Sequence, residues 1–423
     1  MSEKTYKIWN HSFKWTSDHI PAEGLQSMRY SYDVLGEECY LRLKQIVSKP
    51  SHGPTEQAPL NPDLYTLLRD NYTQDKKLRK LWGQVHSIPD WVDWAQIERG
   101  QKVLYRYDIP ALNSVGHLAS IEKRTFTDTA KLAFQGLIGA MGPGRGAETL
   151  ARTSGLGRQT ARRRILETAQ FILEVTQSLS ALQPGGTGQI ACLRVRFLHA
   201  IVRTQFMALI QRDSSQSTYN VEEHGIPIND IDSIVTLLDL SAVILLIGLP
   251  AQGIYPSNQE VSDCIAMLRL VAHYMGTPSE PFKTPHSAKV MLESYLVAEM
   301  HPTENSGLLA RNIFRALDDA LPYVPRSLLM ANTYWLNGSE LSNQLGFEGT
   351  RRAWSLVLSL LYGVFVGLIY LCRLVPWLDE GHIKLQRRLQ WYIIVEGKTG
   401  LGKRSTFKFK NKPQLQPPQS TSM

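Results

Sequence analysis

The sequence has 423 residues, 43% of them hydrophobic, and carries 9 Trp, 17 Tyr and 12 Phe. This composition is ample for a buried core and excludes a globally disordered chain. The formal net charge is +8, but residues 381–423 hold nine Lys/Arg and one acid, so the remainder is neutral overall. A neutral body argues against a general nucleic-acid-binding protein, and the basic C-terminal segment suits an anionic membrane surface about as well as RNA.

The four cysteines, Cys39, Cys192, Cys264 and Cys372, are far apart and form no CxxC pair. Their spacing predicts neither a disulfide framework nor a zinc site and favours a reducing compartment. The N-terminus, MSEKTYKIWNHSFKW, is polar and charged, unlike a secretory signal or a transit peptide. We therefore expect an intracellular protein that is not secreted.

Helical periodicity dominates the chain and predicts a mainly α fold. Residues 1–79 are expected to form an N-terminal arm with helices, and a loop-like stretch at 48–63 separates this arm from the body. Turn-forming Pro, Gly and Asn residues separate the predicted helices, at 158–179, 188–212, 229–248, 257–276, 286–298, 306–318 and 339–346. The body is assigned to 80–347.

Two neighbouring helices, RRRILETAQF (162–171) and RVRFLHAIVR (194–203), carry ionisable residues where burial is expected. On each helix three polar residues share one face by their spacing: Arg164, Glu167 and Thr168 on the first, and Arg196, His199 and Arg203 on the second. The turn QPGGTG makes the helices an antiparallel hairpin, in which Glu167 and His199 differ in height by ~6 Å. Both faces could therefore line one cavity.

Two interpretations of this cluster stay open on spacing alone. Arg196 and Arg203 disfavour a charged His199, and a neutral imidazole in an apolar helical pocket is a ligand for heme iron. These three residues are therefore candidate cofactor-binding residues, with His199 as the metal ligand. The alternative is a buried ion-pair cluster, with Glu167 paired to an arginine and His199 bonded to a backbone carbonyl.

Other polar residues have plain structural interpretations. Asn229 and Asp232, in PINDIDS, are predicted to begin a helix, where a side-chain oxygen caps free backbone amides. His273 lies on an apolar helix and is interpreted as a core histidine.

Residues 354–372, WSLVLSLLYGVFVGLIYLC, are uncharged, and Arg351, Arg352 and Arg373 flank them. The run is about long enough to cross a hydrocarbon core of ~30 Å. A spanning helix would put the basic tail in the cytosol and the large body on the opposite side of the membrane, although the chain shows no signal peptide. A buried or in-plane apolar helix is the alternative, and both remain open.

The segment VEGKTGLGKRS (395–405) resembles the phosphate-binding loop of NTPases. However, Arg404 stands where that loop needs a hydroxyl, and the following STFKFKNKP alternates like a strand instead of a helix. We predict a small C-terminal β-hairpin here. Residues 348–412 are thus assigned to the apolar helix and a basic β-hairpin, and 413–423 to a disordered tail.

The chain resembles the rubber-oxygenase catalytic domain family, in its fungal branch, over roughly residues 80–410. The motifs that carry the resemblance are RRRILET, LQPGGTG, LRVRFLHAIVR, GIPINDIDS and IAMLRLVAHYMGTP, followed by YWLNGSEL and EGKTGLG. The resemblance implies a globin-like helical core around heme b. It further implies that the iron is used with dioxygen to split a carbon–carbon double bond.

The resemblance also assigns roles to residues. The proximal iron ligand of the family falls on His199, and its arginine–lysine–threonine pattern falls on Arg164, Glu167 and Thr168. Glutamate thus replaces a lysine that is a distal ligand in bacterial members, so six-coordinate Lys–His iron is not expected here. The family's glutamate base matches Glu148, in GAETLARTSG.

The function implied is a heme-dependent oxygenase acting on a hydrophobic isoprenoid or polyketide–terpenoid substrate in fungal secondary metabolism. Its ER-bound members imply an association with the endoplasmic reticulum membrane. Two alternatives stay open. One is a non-catalytic, membrane-associated module that binds lipid or a partner protein, and the other is a non-heme iron oxygenase with one histidine and two glutamates as ligands.

Overall fold

The computed structural model describes residues 4–48, 63–107, 136–153, 156–213, 219–318, 325–349, 352–398, 400–408 and 413–415. The predicted loop at 48–63 and the predicted disordered tail at 413–423 lie almost wholly outside these residues.

A β-hairpin begins the described chain and helices follow it. Strands β1 (Thr5–Ile8) and β2 (His11–Lys14) pair antiparallel. A 3₁₀ turn, Ser27–Arg29, follows the first helix. The helices of this half are α1 (Ala22–Gln26), α2 (Val34–Ser48), α3 (Leu64–Asn71), α4 (Lys76–His86), α5 (Trp94–Tyr107), α6 (Gly136–Gly139), α7 (Gly144–Arg152), α8 (Ala161–Thr176), α9 (Leu179–Leu182) and α10 (Thr187–Arg212).

In the second half, all of the described regular elements are helices or helical turns. Its α-helices are α11 (Val221–His224), α12 (Asp230–Asp239), α13 (Leu249–Ala251), α14 (Asn258–Met275), α15 (Pro285–Glu299), α16 (Glu304–Asp318), α17 (Arg326–Gln344), α18 (Arg352–Leu374) and α19 (Pro376–Trp391). Two π-helical turns, Ile244–Gly248 and Tyr392–Glu396, and a 3₁₀ turn, Glu280–Phe282, complete it. The predicted mainly α fold is confirmed.

The core is built around α14, which is buried on most sides. This helix packs against α5 and α10, and α10 packs in turn against α2 and α8. A Cβ on Gly100 of α5 would lie 2.2 Å from the carbonyl oxygen of Asp263, so only glycine permits this close approach. Helix α10, which carries the predicted iron ligand, is therefore enclosed by other helices.

Most predicted helices are confirmed, with two differences. The helix predicted at 229–248 ends at Asp239, and a π-helical turn follows from Ile244. The predicted helix at 339–346 is the end of α17, which begins at Arg326. The helix start at Asn229 and Asp232 is confirmed as a capping box, in which each side chain accepts a hydrogen bond from the other residue's backbone amide.

The predicted C-terminal β-hairpin is wrong for the described residues. The strand-like WYIIV continues α19 as a π-helical turn, and residues 400–408 contain no strand. Ile394 and Val395 are adjacent and both buried, against a cluster that includes Leu173 of α8. A strand would point them to opposite faces, so their common burial favours helical geometry. The one hairpin of the described chain is N-terminal instead.

A buried ion pair fixes α10 against α2 and α14. Arg196 donates from Nε and from Nη2 to the two carboxylate oxygens of Asp33, each at 2.6 Å. Arg196 also donates to the carbonyl of Tyr274 and to Gln84. Gly276, in the left-handed conformation at φ 72°, lies directly against this pair. A Cβ there would be 2.6 Å from both Arg196 Nε and Asp33 Cγ.

A carboxyl group in the interior contrasts with this satisfied pair. Asp239 ends α12 inside the run TLLDLSAVILL, and burial raises its pKa to about 8. Within the described part of the chain no hydrogen bond or ion pair reaches it. The group is therefore neutral in the folded protein at mildly acidic pH.

We expect Gly276→Ala to destabilise the protein by ~3 kcal/mol or more, because it combines backbone strain with separation of Arg196 from Asp33. Gly185→Ala is the matched control, since Gly185 also has a positive φ, of 82°, but no atom lies near its added Cβ. The control should lose only ~1 kcal/mol. Urea unfolding measures both, and equal losses would show that the ion pair tolerates the methyl group.

Asp239→Asn should stabilise the protein increasingly as pH rises. An aspartate ionises near 3.8 in the unfolded chain but near 8 in the folded protein, so the wild type loses stability between these values. Asparagine does not titrate. The difference in the free energy of unfolding between variant and wild type should therefore grow from about pH 5 to about pH 8. A difference that stays constant with pH would contradict the burial of an uncompensated carboxyl.

Candidate functional site

The hairpin predicted from QPGGTG is present. Helices α8 and α10 pack against each other, and the short helix α9 lies between them along the chain. Gly186 caps the start of α10, and a Cβ there would lie 2.2 Å from the carbonyl oxygen of Ser180. This tight connection brings the polar faces of the two helices together.

His199 lies at the centre of this region. Burial, together with the positive charges of Arg203 and Arg164, lowers its pKa to about 3, so the imidazole is neutral. No hydrogen bond or ion pair joins His199 to any other described residue, and part of its surface stays accessible to a water-sized sphere. Burial and the two arginines therefore keep the imidazole neutral, and its ring nitrogens have no described protein partner.

Arg164 reaches the same region from α8. Burial lowers the pKa of its guanidinium, although 37% of its side-chain surface is accessible. Its Nη1 lies 3.6 Å from Glu167 Oε2, too far for a hydrogen bond. Arg164 is thus a loosely paired cation that lies close enough to His199 to lower the pKa of its imidazole.

Arg203 follows His199 by one turn of α10 and is only 3% exposed. Burial lowers its pKa, and its Nε lies 3.6 Å from Glu37 Oε2 without a hydrogen bond. Its Nε and Nη1 have no hydrogen-bond partner among the described residues, and its guanidinium stacks 4.4 Å from the Tyr32 ring centre. A buried cation with unsatisfied donors is rare and calls for an acceptor.

Arg196, a predicted cofactor-binding residue, has protein partners of its own. This residue was expected beside the cofactor with His199, but Asp33, Tyr274 and Gln84 take up its donors. It lines a separate polar cleft of about 580 Å³ together with Asp33. The second arginine that keeps His199 neutral is Arg164, from the neighbouring helix.

Glu167 and Thr168 are held by local partners. Glu167 is buried, and its Oε1 accepts from Arg163 Nε at 3.1 Å and from Ser405 Oγ at 2.9 Å. The predicted pairing of Glu167 with arginines is confirmed, but its bond to the C-terminal segment was not foreseen. Thr168 donates to the carbonyl of Arg164 at 2.9 Å and stays partly accessible.

Glu148 lies on α7 and is bound from two sides. Arg152 donates to its Oε2 at 2.5 Å and Asn305 to its Oε1 at 2.8 Å. Burial alone would raise the pKa of Glu148, but these two hydrogen bonds outweigh it, and the pKa is lowered. The carboxylate is therefore ionised at neutral pH. Its described contacts do not extend to His199 or Arg164.

Several buried charged residues were missed by sequence reasoning. Arg145 of α7 bonds to Asp232 at 2.8 Å and to Glu299 at 3.2 Å, which ties α7 to α12 and α15. These partners are 87 and 154 positions away, so no local pattern indicates them. Asp239 and Glu37 were missed too. Asp239 is a lone acid in an apolar run, and this pattern indicates a buried carboxyl group from the sequence alone.

The fold is similar to that of a solved structure. Latex clearing protein in its closed state matches with a TM-score of 0.57, over 85% of this chain and 91% of that chain, at 16% identity. At this identity the likeness shows a shared fold and no more. None of the curated proteins matches the chain.

The sequence itself matches a family model. The model described as "ER-bound oxygenase mpaB/B'/Rubber oxygenase, catalytic domain" covers residues 127–368, which is more than half of the chain and includes α7, α8 and α10. The resemblance inferred from the motifs is thereby confirmed. This chain belongs to the family of ER-bound and rubber oxygenase catalytic domains.

Proposed function

We propose that this oxygenase-family protein uses heme b and dioxygen to cleave or oxygenate a carbon–carbon double bond. The observation that carries the proposal is His199, a neutral imidazole on α10 that lies near Arg164 of α8 and has no described protein partner. Its ring nitrogens are free to bind iron.

The charges around His199 fit the same cofactor. Heme b carries two propionate carboxylates, and buried carboxylates need cationic partners. Arg203 has two donor nitrogens without partners, and Arg164 has a loose ion pair. We therefore infer that His199 would hold the iron and that Arg203 and Arg164 would bind the propionates. Bound heme supplies the redox chemistry with dioxygen.

The residues of the chain then have distinct tasks. Arg203 and Arg164 keep His199 neutral, which iron binding requires. Thr168, one turn from Arg164, offers a hydroxyl oxygen as an acceptor while it donates to the backbone. Glu148 is proposed as the base that removes a substrate proton, a role supported by its ionised state. Its bond from Arg152 must loosen for the proton to be accepted.

Glu167 is proposed to shape the oxygen side of the pocket. Its carboxylate is anchored by hydrogen bonds from Arg163 and Ser405. A lysine at this position could ligate iron when neutral, but a paired carboxylate is a weak ligand by comparison. We therefore infer that Glu167 would not ligate the iron.

The alternative of non-heme iron finds little support. A facial triad needs three protein ligands close together. Among the described residues no group of three His, Cys, Asp or Glu side chains is placed to hold a metal ion. A single imidazole suits a cofactor that brings the other ligands itself, as heme does.

The non-catalytic module is disfavoured by the same buried cations. An arginine with free donors destabilises a fold, so a purely structural cluster would be expected to satisfy Arg203.

The substrate and the cellular setting are proposed from the family resemblance. We infer a hydrophobic isoprenoid or polyketide–terpenoid substrate of fungal secondary metabolism. We further infer that the protein acts at an intracellular membrane, because the family description names ER-bound oxygenases.

His199→Ala should abolish heme retention, because the described hairpin offers no other free imidazole. Protein purified with added heme is assayed by absorption, with oxygen uptake and carbonyl products from isoprenoid alkenes as the activity measurement. His273→Ala is the control, since His273 is a second histidine in the interior whose Nε2 lies 3.1 Å from the Gln84 carbonyl oxygen. It should keep the heme. A wild-type heme spectrum and occupancy in His199→Ala would refute the ligand assignment.

Arg203→Met should separate function from stability. The variant removes a poorly satisfied buried cation, so heme-free protein should be as stable as wild type or more so. Heme affinity should nevertheless fall about tenfold or more, through loss of a charge-assisted bond. Urea unfolding and heme titration measure the two effects.

Arg194→Met is the control for Arg203→Met. Arg194 lies on the same helix and forms a partly exposed pair with Asp63 at 2.9 Å. Its loss should leave heme affinity unchanged. Lower stability with unchanged heme affinity in Arg203→Met would assign Arg203 a structural role.

A further inference from the structure

Helix α18 presents a long apolar face to the outside. By length and composition it is one of two described helical segments apolar enough to cross a membrane. The other segment, Asp230–Ala251, joins α12, the π-helical turn and α13 and is mostly buried. Leu356 and Leu360 are 72% and 71% exposed. The further exposed apolar residues of the face are Val357, Val364, Leu368 and Leu371. A stripe of this length is far larger than the scattered apolar residues of an ordinary protein surface.

The opposite side of α18 is attached to the protein body. Leu358, Tyr362 and Ile369 are buried, and the Tyr362 hydroxyl donates to Asn332 of α17. Arg373, at the end of the helix, pairs with Glu260 of α14 at 3.0 Å. These contacts hold α18 along the surface of the body from Leu358 to Arg373. A helix that crossed a bilayer alone would have to break them.

The exposed face continues onto α19. Leu374 and Trp377, at the junction of the two helices, are 78% and 74% exposed. Leu385 and Tyr392 follow at helical spacing on the exposed side of α19 and its π-helical turn. Tryptophan and tyrosine are enriched where proteins meet the lipid headgroup layer.

Charge on this face is positive. Lys384 and Arg388 are exposed among the apolar residues of α19 and form no ion pair within the described residues. The acids of α19 are paired with the body, Asp379 with Arg106 and Glu380 with Lys102. An apolar face with unpaired cations beside it complements a surface that is apolar inside and anionic at its edge.

We propose that α18 and α19 form an in-plane attachment site for a lipid bilayer containing anionic phospholipids. The side chains of Leu356, Leu360, Leu374 and Trp377 enter the acyl boundary, and Lys384 and Arg388 contact the headgroups. Of the two possibilities left open by residues 354–372, the body contacts of α18 select the in-plane one. The proposal deepens the membrane association proposed above, and its test needs neither heme nor substrate.

Vesicle flotation of the full chain tests the apolar part. Leu356→Gln/Leu360→Gln should lower partitioning into phosphatidylcholine–phosphatidylserine vesicles by about tenfold or more, because two exposed leucines no longer leave water. Leu41→Gln/Ile88→Gln, at exposed apolar positions outside this face, is the matched control and should bind as wild type does. Equal binding of wild type and Leu356→Gln/Leu360→Gln would overturn the proposal, as would failure of the wild type to float.

The charged part is tested with Lys384→Gln/Arg388→Gln. This variant should bind vesicles containing phosphatidylserine about tenfold more weakly and pure phosphatidylcholine vesicles unchanged. An unchanged affinity for both kinds of vesicle would remove the headgroup contacts from the proposal.

Protease digestion of vesicle-bound protein tests the orientation. With tags at both termini, an in-plane helix leaves both tags outside and both are removed. A protected C-terminal tag would show a spanning helix and would overturn the proposal.

Sedimentation tests whether a second copy of the chain covers the face instead of a bilayer. The proposal would be overturned if the wild type forms a dimer and does not bind vesicles, and if Leu356→Gln/Leu360→Gln dissociates that dimer.

Discussion

The buried ion pair between Arg196 and Asp33 determines how α10 is oriented. A buried charge pair is satisfied in only one orientation of the helix, and breaking it leaves an uncompensated buried charge. Arg196 precedes His199 by three positions, so fixing the first fixes the direction of the second. Gly276 makes room for the pair at the end of α14. The arginine expected to bind a cofactor thus serves the site by orienting the helix that carries it.

Charge compensation is uneven across the interior. Arg145 is almost completely buried and has both Asp232 and Glu299 as partners. Arg203 is equally buried and has one carboxylate at 3.6 Å. Among the described residues Arg203 has two buried donor nitrogens without a hydrogen-bond partner, whereas Arg29, Arg269 and Arg387 have one each. This contrast is the physical basis for expecting an anionic group there.

Local sequence rules predicted the helices and the convergence of Arg164 with His199. Periodicity located α8 and α10, and a short turn forced them to be antiparallel neighbours. The same rules could not reach partners far apart in the chain. Asp33 is 163 positions from Arg196, and Ser405 is 238 from Glu167. The strand predicted for WYIIV was wrong for a related reason. Its conformation is decided by tertiary packing against α8 and not by the local alternation of residues.

The C-terminal segment lies directly on the site helix. Gln170 exchanges two hydrogen bonds with the backbone of Ser405, at 2.8 and 2.7 Å, and Arg404 pairs with Glu174 at 3.1 Å. Gln170 and Ser405 are 235 positions apart in the chain. During translation, the outer side of α8 therefore stays uncovered until nearly all of the described chain has left the ribosome. A nascent chain that stops before Arg404 therefore leaves Gln170 and Glu174 of α8 without these C-terminal partners.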